Sequence, residues 1–361
     1  MYKITKPTIK DVALMANVSI GTVDRVLHKR GRVSKNTEQK VVKILKKLNY
    51  EPNIIARSLV MYKNYSVALL IPNHQEDEYW QRAVEDLESI KKKSEQKGLM
   101  IQPYYFSTET GRSFEQCGLE ILQSKPDGVI MAPVFLREGM ALYKKLCVLS
   151  IPVIMFDTTL PDVEPLSIIG IDSYQSGRVA AELMSLTVHG KGKFAILHFV
   201  QELVNAPQMG ERERGFISFL EEEGQGREYI VRVLSNKQQC YKKELTDLLE
   251  NENISSIFVS TSKAHRVGSF LQENSIHGMT LIGYDLTSKN IRLLKSGYIS
   301  FLINENPGRQ VEQSITRFSN YLVYKESVDS KRLFPIEIIT RTNLETYDRK
   351  SSEIDDFIMA T

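Results

Sequence analysis

The sequence has few cysteines, one tryptophan and no long apolar run. Cys117, Cys147 and Cys240 are far apart and odd in number, which argues against a disulfide framework and predicts reduced, partly buried thiols. No apolar run reaches the length of about eighteen residues that a membrane-spanning helix needs, so no membrane partner is expected. The opening residues MYKITKPTIKDV contain no apolar core of a secretory signal, so we expect a cytoplasmic protein.

Signatures of catalysis and of cofactor binding are also missing. No glycine-rich dinucleotide-binding or phosphate-binding loop follows the first apolar strand. No pair of His or Cys stands at metal-ligand spacing, and His189, His198, His265 and His277 are isolated. A lone histidine is mostly a surface group or a hydrogen-bonded core group, and no nucleophile elbow accompanies the Ser, His and Asp residues. We therefore expect neither an enzyme nor a bound cofactor or metal.

A compact three-helix pattern occupies residues 1–51. Apolar residues recur at helical spacing from Ile9, after Ser19 and after Ser34. Ser19 is a good N-cap for the second helix, because its hydroxyl can accept a hydrogen bond from an amide of the first turn, and Ser34 precedes the third helix. The pattern predicts a helix-turn-helix whose second helix presents its N-terminal half to the major groove of DNA. The third helix is predicted to close the core with Val41, Val42, Ile44, Leu45 and Leu48.

The charge distribution supports binding to nucleic acid. Residues 1–63 contain 14 Lys or Arg against 4 Asp or Glu, out of 47 and 44 in the whole chain. The remainder therefore carries 33 basic and 40 acidic residues. A basic head on an acidic body suits contact with phosphates and predicts strongly salt-dependent affinity. A basic surface on an ordinary three-helix domain is the alternative interpretation.

Residues 8–59 contain the motifs IKDVA, NVS, TV-x-RVL, GRVS, LNYEPN and ARSL. With these motifs, the segment resembles the DNA-binding headpiece of the lactose-repressor (LacI/GalR) family of bacterial transcription regulators. The resemblance implies base contacts in the second helix, phosphate contacts around its start, and a hinge helix that folds on operator DNA in residues 52–63. A leucine at the end of that hinge is implied to wedge into the minor groove. The implied DNA-binding residues are Ser19, Ile20, Gly21, Thr22, Arg25, His28, Asn53, Arg57 and Leu59.

Two positions depart from the family pattern in this segment. Asp24 stands where Ser is usual, and His28 where Asn is usual. Gly21 has no side chain with which to read a base, so one specificity contact is absent or comes from the backbone.

Residues 64–361 alternate between strand-like and helical stretches, which predicts an α/β fold of doubly wound parallel sheets. The predicted strands are short, apolar and rich in Val, Ile and Phe, as buried parallel strands are: residues 66–72, 101–106, 128–132, 152–156, 167–171, 194–199, 256–260 and 280–284. The predicted helices are residues 80–97, 113–123, 175–186, 212–222 and 263–273. The length of this region suggests two lobes.

Polar and aromatic residues follow several of these strands, and ligands of such sheets bind beyond the carboxyl ends of the strands. Asp157, Asp172 and Asp285 each end or follow an apolar run, as does Glu305. Arg212 opens a predicted helix, and Tyr79 and Trp80 follow the first strand. Carboxylates, a guanidinium and a pair of aromatic rings together suit a polyhydroxylated ring. Taken singly, however, a strand-end Asp is more often a helix cap or a turn former.

The body also carries the motifs DGVIMAP, IPVIMFD, GIDSYQSGRVAAELM, ERERGF, LIGYD and INEN. With them, residues 64 to about 345 resemble type I periplasmic sugar-binding proteins, the body that the repressor family carries. The resemblance implies two α/β lobes joined by three crossing strands, with dimer contacts along the body. The implied ligand contacts are Tyr79, Trp80, Asp157, Asp172, Arg212, Thr261, Asp285 and Glu305. Thr261 stands where Asn is usual, and Glu305 where Gln is common.

The charge of the expected cleft restricts its ligand. Four carboxylates, from Asp157, Asp172, Asp285 and Glu305, face the single guanidinium of Arg212, so a sugar phosphate is expected to be repelled. We therefore expect a neutral saccharide or polyol, with an amine-bearing ligand as the alternative.

The sequence as a whole predicts a homodimeric, ligand-responsive DNA-binding regulator of carbohydrate-related genes, specifically a repressor. Its domains are a helix-turn-helix headpiece (1–51), a hinge (52–63), and a two-lobed ligand-binding and dimerisation domain (64–361). A transport-type sugar-binding protein would share the body but not the basic head. An architectural DNA binder would have no use for a ligand cleft. Inducer or corepressor action, and dimer or tetramer, both remain open.

Overall fold

The computed structural model describes residues 9–27, 33–48, 64–188, 192–199, 207–223 and 226–348. The chain divides into two compact units, Met1–Asn64 and Tyr65–Thr361. The expected hinge, residues 52–63, lies outside the described residues, and the predicted domain limits around it stay a prediction.

The first unit contains three helices, α1 (Ile9–Ala16), α2 (Ile20–Leu27) and α3 (Lys35–Lys47). The turn between α1 and α2 passes through Asn17, which has φ 53°, a left-handed conformation that asparagine tolerates. The Ser19 hydroxyl accepts a hydrogen bond from the Thr22 amide at 3.1 Å, and Ser34 does the same for Thr37 at 3.3 Å. The predicted N-cap at Ser19 is therefore present, and Ser34 caps α3 in the same way.

The core of this unit is small and aliphatic. Its buried members are Val12, Ala13, Ala16, Val23, Val26 and Val41. Ile44, Leu45 and Leu48 pack against it as expected, but Val42 is exposed. On α3, Val42 follows Val41 by one residue, about 100° around a helix of 3.6 residues per turn, so the two side chains leave the helix on different faces.

The second unit contains two sheets, each of six strands within the described residues. The strands of the first sheet are β1 (Tyr65–Pro72), β2 (Leu99–Phe106), β3 (Gly128–Met131), β4 (Val153–Phe156), β5 (Ser167–Gly170) and β11 (Lys331–Leu333). The strands of the second are β6 (Lys193–Phe199), β7 (Tyr229–Leu234), β8 (Ile254–Val259), β9 (Thr280–Tyr284), β10 (Phe301–Asn304) and β12 (Glu337–Ile339).

The strand orders are β11-β5-β4-β3-β1-β2 and β12-β10-β9-β8-β6-β7. Neighbouring strands pair in parallel except β10 with β12, which is antiparallel. The predicted doubly wound parallel sheets are thereby confirmed, one sheet to each lobe. The chain passes between the lobes three times: after β5, after β10, and between β11 and β12.

Helices flank both sheets. The helices of the second unit are α4 (Glu78–Val84), α5 (Leu87–Glu95), α6 (Gly111–Ser124), α7 (Leu136–Val148), α8 (Ser173–Thr187), α9 (Pro207–Glu223), α10 (Gln238–Asn251), α11 (Ala264–Glu273), α12 (Ser288–Lys295), α13 (Pro307–Phe318) and α14 (Glu345–Asp348). A π-helical turn, Ser319–Val323, continues α13.

One further helix expectation was wrong, and the expectation for the cysteines was confirmed in part. The helix expected over residues 80–97 is two helices, because the chain leaves helical geometry at Asp86 (φ −99°, ψ 5°). Of the three cysteines, Cys117 is buried but Cys147 and Cys240 are exposed, and all three are free thiols. None of the helices in the described ranges is both long enough and apolar enough to cross a membrane.

Candidate functional site

A cavity of about 530 Å³ lies between the two lobes, at the carboxyl ends of the strands. From the first lobe it is lined by Glu76, Asp77, Tyr79, Trp80, Thr108, Glu109, Thr110, Val134, Phe135 and Asp157. From the second lobe it is lined by Phe199, Gln208, Met209, Arg212, Asn236, Thr261, Ser262, Lys263, Arg266, Asp285 and Glu305. Seven of the eight expected ligand contacts are in this set, and the cavity brings them together from both sheets.

Asp157 and Asp285 occupy equivalent positions in the two lobes. Each follows a buried strand, β4 or β9, and each has φ 68°. The Asp157 amide donates to the carbonyl of Ile169 at 3.1 Å, and the Asp285 amide donates to that of Ile303 at 2.8 Å. These bonds to the neighbouring strand hold both residues in a left-handed conformation at the point where the strand ends. Both carboxylates line the same cavity, one from each lobe.

Arg212 and Glu305 form a buried ion pair in the same cavity. The guanidinium donates to the Glu305 carboxylate and, at 2.6 Å, to the carbonyl of Ser260. It also lies 3.9 Å from the centroid of the Tyr284 ring. Arg212 is 2% exposed, and its Nε atom is buried without a hydrogen-bond partner. The arginine is therefore fixed in orientation by these contacts at the wall of the cavity.

Tyr79 and Trp80 line the cavity from the start of α4. That helix begins where the Asp77 side chain accepts the Tyr79 amide at 3.0 Å. The two rings meet edge to face with centroids 4.8 Å apart, and the Tyr79 hydroxyl donates to Asp157. An aromatic wall beside carboxylates covers the apolar face of a sugar ring while the acids accept from its hydroxyls.

Burial and the crowding of acidic groups raise the pKa of two carboxyl groups in this cavity. Burial, and then the nearby negative charge of Glu305, raise the pKa of Asp157 to about 7. The same two causes raise the pKa of Asp285 well above its usual value. Asp157 Oδ2 is buried without a hydrogen-bond partner. Near neutral pH the Asp157 carboxyl can therefore accept a hydrogen bond or, when protonated, donate one.

Asp172, the eighth expected contact, is not among the residues that line the cavity. Its carboxylate accepts the Gln175 amide at 3.0 Å and caps the N-terminus of α8. Its φ is −77°, in contrast to the left-handed values of Asp157 and Asp285. The helix-cap interpretation of a strand-end Asp therefore describes Asp172. Thr261 does line the cavity, and its hydroxyl accepts the Lys263 amide at 3.3 Å.

Several lining residues were not predicted from the sequence. Asn236 follows β7, a strand that was not among those predicted, and Phe199 ends β6. Arg266 donates to the carbonyl and to the side-chain oxygen of Asn236, at 3.1 and 2.9 Å. Phe199 could have been predicted, because it ends the expected strand 194–199 and ligands of such sheets bind at strand ends.

Polar contacts between the lobes border the cavity. Lys263 of the second lobe lies 2.5 Å from the carboxylate of Asp77 in the first. The Glu78 carboxylate accepts the backbone amide of Ser288 from the other lobe. The lobes are thus in direct contact beside the cavity.

His198 lies behind this site, with its side chain 1% exposed. Its Nδ1 is 2.7 Å from the Ser260 hydroxyl, and its Nε2 is 2.8 Å from a carboxylate oxygen of Glu213. Burial lowers the pKa of His198. It is a hydrogen-bonded core histidine, one of the two interpretations expected for an isolated His.

The N-terminal half of α2 forms a second candidate site. Ile20, Gly21 and Arg25 are exposed there, and the Ser19 and Thr22 hydroxyls are 2.9 Å apart. A Cβ added at Gly21 meets only the Ser19 hydroxyl oxygen, at 3.9 Å. Packing therefore does not require a glycine at this exposed position. The remaining implied DNA contacts, His28, Asn53, Arg57 and Leu59, lie outside the described residues.

Comparison with known proteins connects both sites to one family. The lacI family of bacterial regulatory proteins matches residues 8–53, and the periplasmic binding protein domain matches residues 67–326. The sucrose operon repressor of Streptococcus mutans is 30% identical over 286 residues, which are 77% of this chain and 82% of that protein. The regulator DegA of Bacillus subtilis is 31% identical over 61% of this chain, and the match spans 62% of DegA.

A solved structure agrees with these matches. The crystal structure described as a LacI transcriptional regulator from Bacteroides fragilis superposes with a TM-score of 0.74 at 26% identity. It covers 79% of this chain and 100% of that one. The chain therefore belongs to the lacI family of bacterial regulatory proteins, with a periplasmic binding protein domain as its larger unit, and its relatives are transcriptional regulators rather than enzymes.

Proposed function

We propose that this protein is a repressor of carbohydrate-related genes whose affinity for operator DNA is controlled by a neutral sugar or polyol. A homodimer places two α2 helices in successive major grooves of a pseudo-palindromic operator. The sugar binds in the interlobe cavity and biases the hinge that joins the cavity domain to the headpiece. Coupling of this kind changes operator affinity by roughly 1–3 kcal/mol.

The observation that carries the proposal is the convergence of sugar-binding chemistry in one cavity. Buried carboxylates from both lobes, a fixed guanidinium and an aromatic wall line the same space. Each group suits a polyhydroxylated ring: the acids accept from hydroxyls, Arg212 donates, and Trp80 covers an apolar face. The name of the Streptococcus mutans relative, a sucrose operon repressor, points to the same class of ligand.

The charge of the cavity favours a neutral ligand over a phosphorylated one. Its lining includes six carboxylates, of Glu76, Asp77, Glu109, Asp157, Asp285 and Glu305, but only three basic side chains, of Arg212, Lys263 and Arg266. Arg212 is already paired with Glu305, and Lys263 with Asp77. The third, Arg266, already donates twice to Asn236. Even where Asp157 and Asp285 are protonated, the acids Glu76, Asp77, Glu109 and Glu305 outnumber the three basic groups, so a phosphate would meet an excess of negative charge.

The headpiece supplies the DNA-binding half of the proposal. Exposed residues at the start of α2 are where a recognition helix meets base edges, and the cap at Ser19 fixes that end of the helix. We assign base contacts to Ile20, Gly21 and Arg25, and phosphate contacts to Ser19 and Thr22. His28, Asn53, Arg57 and Leu59 keep the roles that the family resemblance implies.

The test combines ligand binding with operator binding on the full chain. Trp80 is the only tryptophan of the sequence and lines the cavity, so its fluorescence reports binding there. An operator is first selected from a random pseudo-palindromic DNA pool. Sugars that change Trp80 fluorescence are then added to operator titrations, and we expect at least one to shift the operator Kd by about 5–150-fold.

Two results would contradict the proposal. A sugar that binds at Trp80 without changing the operator Kd would refute the coupling. Micromolar binding of sugar phosphates, with no response to the neutral sugars, would refute the charge argument.

An amine-bearing sugar is a second candidate, because Asp157 Oδ2 is buried without a partner and suits a charged donor. Titration with glucosamine beside glucose separates the two. Tighter binding of glucosamine than of glucose at pH 7, where the sugar is largely an ammonium ion and part of the Asp157 population is ionised, favours the amine; equal or weaker binding favours the neutral ligand.

A further inference from the structure

We infer that the effector is longer than one sugar ring, and that the cavity accepts a disaccharide with its two rings at opposite ends. The inference rests on the proposed sugar-responsive function and specifies the ligand of the same cavity. It follows from how the lining residues are distributed along the two sheets.

In the second lobe, the lining residues follow strands that span most of the sheet. Glu305, Asp285, Thr261, Phe199 and Asn236 lie at the carboxyl ends of β10, β9, β8, β6 and β7, which are consecutive neighbours. Adjacent strands are about 4.8 Å apart, so four spacings separate Glu305 from Asn236 by about 19 Å. One pyranose ring covers roughly one or two such spacings.

The first lobe shows the same elongation. Asp157 follows β4, Phe135 follows β3, Glu76 follows β1 and Thr108 follows β2, again in the order of the strands. Three strand spacings, about 14 Å, separate the first of these from the last. Both walls of the cavity are therefore long in the direction across the strands.

The buried acids occupy only one end of this space. Asp157, Asp285 and Glu305 interact electrostatically, and Arg212 pairs with Glu305. These groups and the Tyr79–Trp80 wall suffice to hold one ring. The whole cavity has a volume of about 530 Å³ and extends well beyond this group of acids. One ring at the acidic end would leave the far end to water.

The far end has its own groups suited to a hydroxylated ring. Phe199 lines it and is 3% exposed. The Arg266 guanidinium lies 5.2 Å from the Phe199 ring centroid and donates twice to Asn236, which fixes the amide group at the wall. Across the cleft stand the side chains of Glu76, Thr108, Glu109 and Thr110. The edge of an aromatic ring, a fixed amide, hydroxyls and carboxylates provide apolar contact and hydrogen bonds for a second ring.

The test compares matched sugars by calorimetry on the full chain. Glucose, fructose and galactose are titrated beside maltose, sucrose, lactose and melibiose. We expect at least one disaccharide to bind at least tenfold more tightly than either of its constituent monosaccharides. The Asn236→Phe variant, which fills the far end, should lose that advantage, while the Gln239→Phe variant, at an exposed position outside the cavity lining, should keep it.

The outcomes separate this inference from the function on which it rests. Monosaccharides that bind as tightly as the disaccharides would overturn the inference and leave the sugar-responsive regulator intact. A disaccharide advantage that survives in Asn236→Phe would overturn the assignment of the far end. Binding of none of these sugars would overturn the sugar effector itself and the inference with it.

Discussion

The ionisation of Asp157 should make the stability of the second unit depend on pH in a measurable way. Burial and Glu305 raise the pKa of this carboxyl from 3.8 to about 7. Between these values the folded state holds a proton that the unfolded state has lost, so stability falls as pH rises from about 4 to about 7. At about 1.36 kcal/mol per pKa unit, the loss is at most about 4 kcal/mol and is complete above pH 7.

The variant Asp157→Asn removes this ionisation with little change in shape. Asparagine tolerates φ 68°, and its side-chain oxygen can accept the Tyr79 hydroxyl. Relative to the wild type, the variant should gain about 3 kcal/mol between pH 5 and pH 8, because about two pKa units of the loss fall in that window. The free energy of unfolding in urea, followed by Trp80 fluorescence of the full chain, measures the difference.

Asp172→Asn is the matched control. It removes an aspartate that also follows a strand but caps α8 outside the cavity lining, and asparagine caps a helix equally well. Its change in stability between pH 5 and pH 8 should match that of the wild type. If Asp157→Asn also shows the wild-type change, the buried carboxyl does not carry the proton assigned to it and the reasoning fails.

Four further predictions concern the two binding sites. Arg212→Ala should abolish the response of operator binding to sugar while leaving sugar-free operator affinity intact. Arg214→Ala, which changes an exposed side chain of the same helix, should keep the response. Loss of operator binding in Arg212→Ala would indicate misfolding instead. Arg25→Ala should weaken operator binding by about 1–3 kcal/mol and relax sequence preference, as measured by competition with mutated operators. Gly21→Ala has space for its methyl group, so it should stabilise α2 by about 0.5–1 kcal/mol and alter only which operators are preferred. Leu59→Ala should reduce operator bending in a gel-phasing assay, and unchanged bending would remove its wedge role.

Much of the fold was predictable because parallel strands buried on both faces read as continuous apolar runs. Each of the eight predicted strands is present within about two residues of its expected limits. The strand β7 (YIVRVL) was missed although five of its six residues are apolar; it is an edge strand in which Tyr229 and Val233 are exposed. The four-residue strand β10 was noted only as an apolar run before Glu305. β11 and β12 have three residues each, next to a crossing between the lobes, and offer too short a pattern to detect.

The site was predictable in part, for a related reason. Parallel strands place their carboxyl ends at one edge of a sheet, so Asp157 and Asp285 could be expected to face a common space. Asp172 has the same local pattern, a strand followed by an acid. The three differ in backbone conformation: Asp157 and Asp285 turn with φ 68° into the cavity, whereas Asp172 at −77° leads directly into α8. Asp172 follows β5, where the chain crosses to the second lobe, and the local sequence does not indicate this crossing.

Gln310 shows how ligand contacts and lobe crossings are joined in this protein. Its side chain is fully buried; it accepts the Asp157 amide at 2.8 Å and donates to the carbonyl of Glu305 at 2.9 Å. Glu305 lies on the crossing segment between β10 and α13, and Asn306 follows it in a left-handed conformation with φ 50°. A ligand that binds both Asp157 and Glu305 therefore contacts two residues that Gln310 already links, next to a segment that crosses between the lobes. Relative movement of the lobes about this segment must carry these hydrogen bonds along or break them, so the geometry that binds the ligand also determines which lobe arrangement it favours.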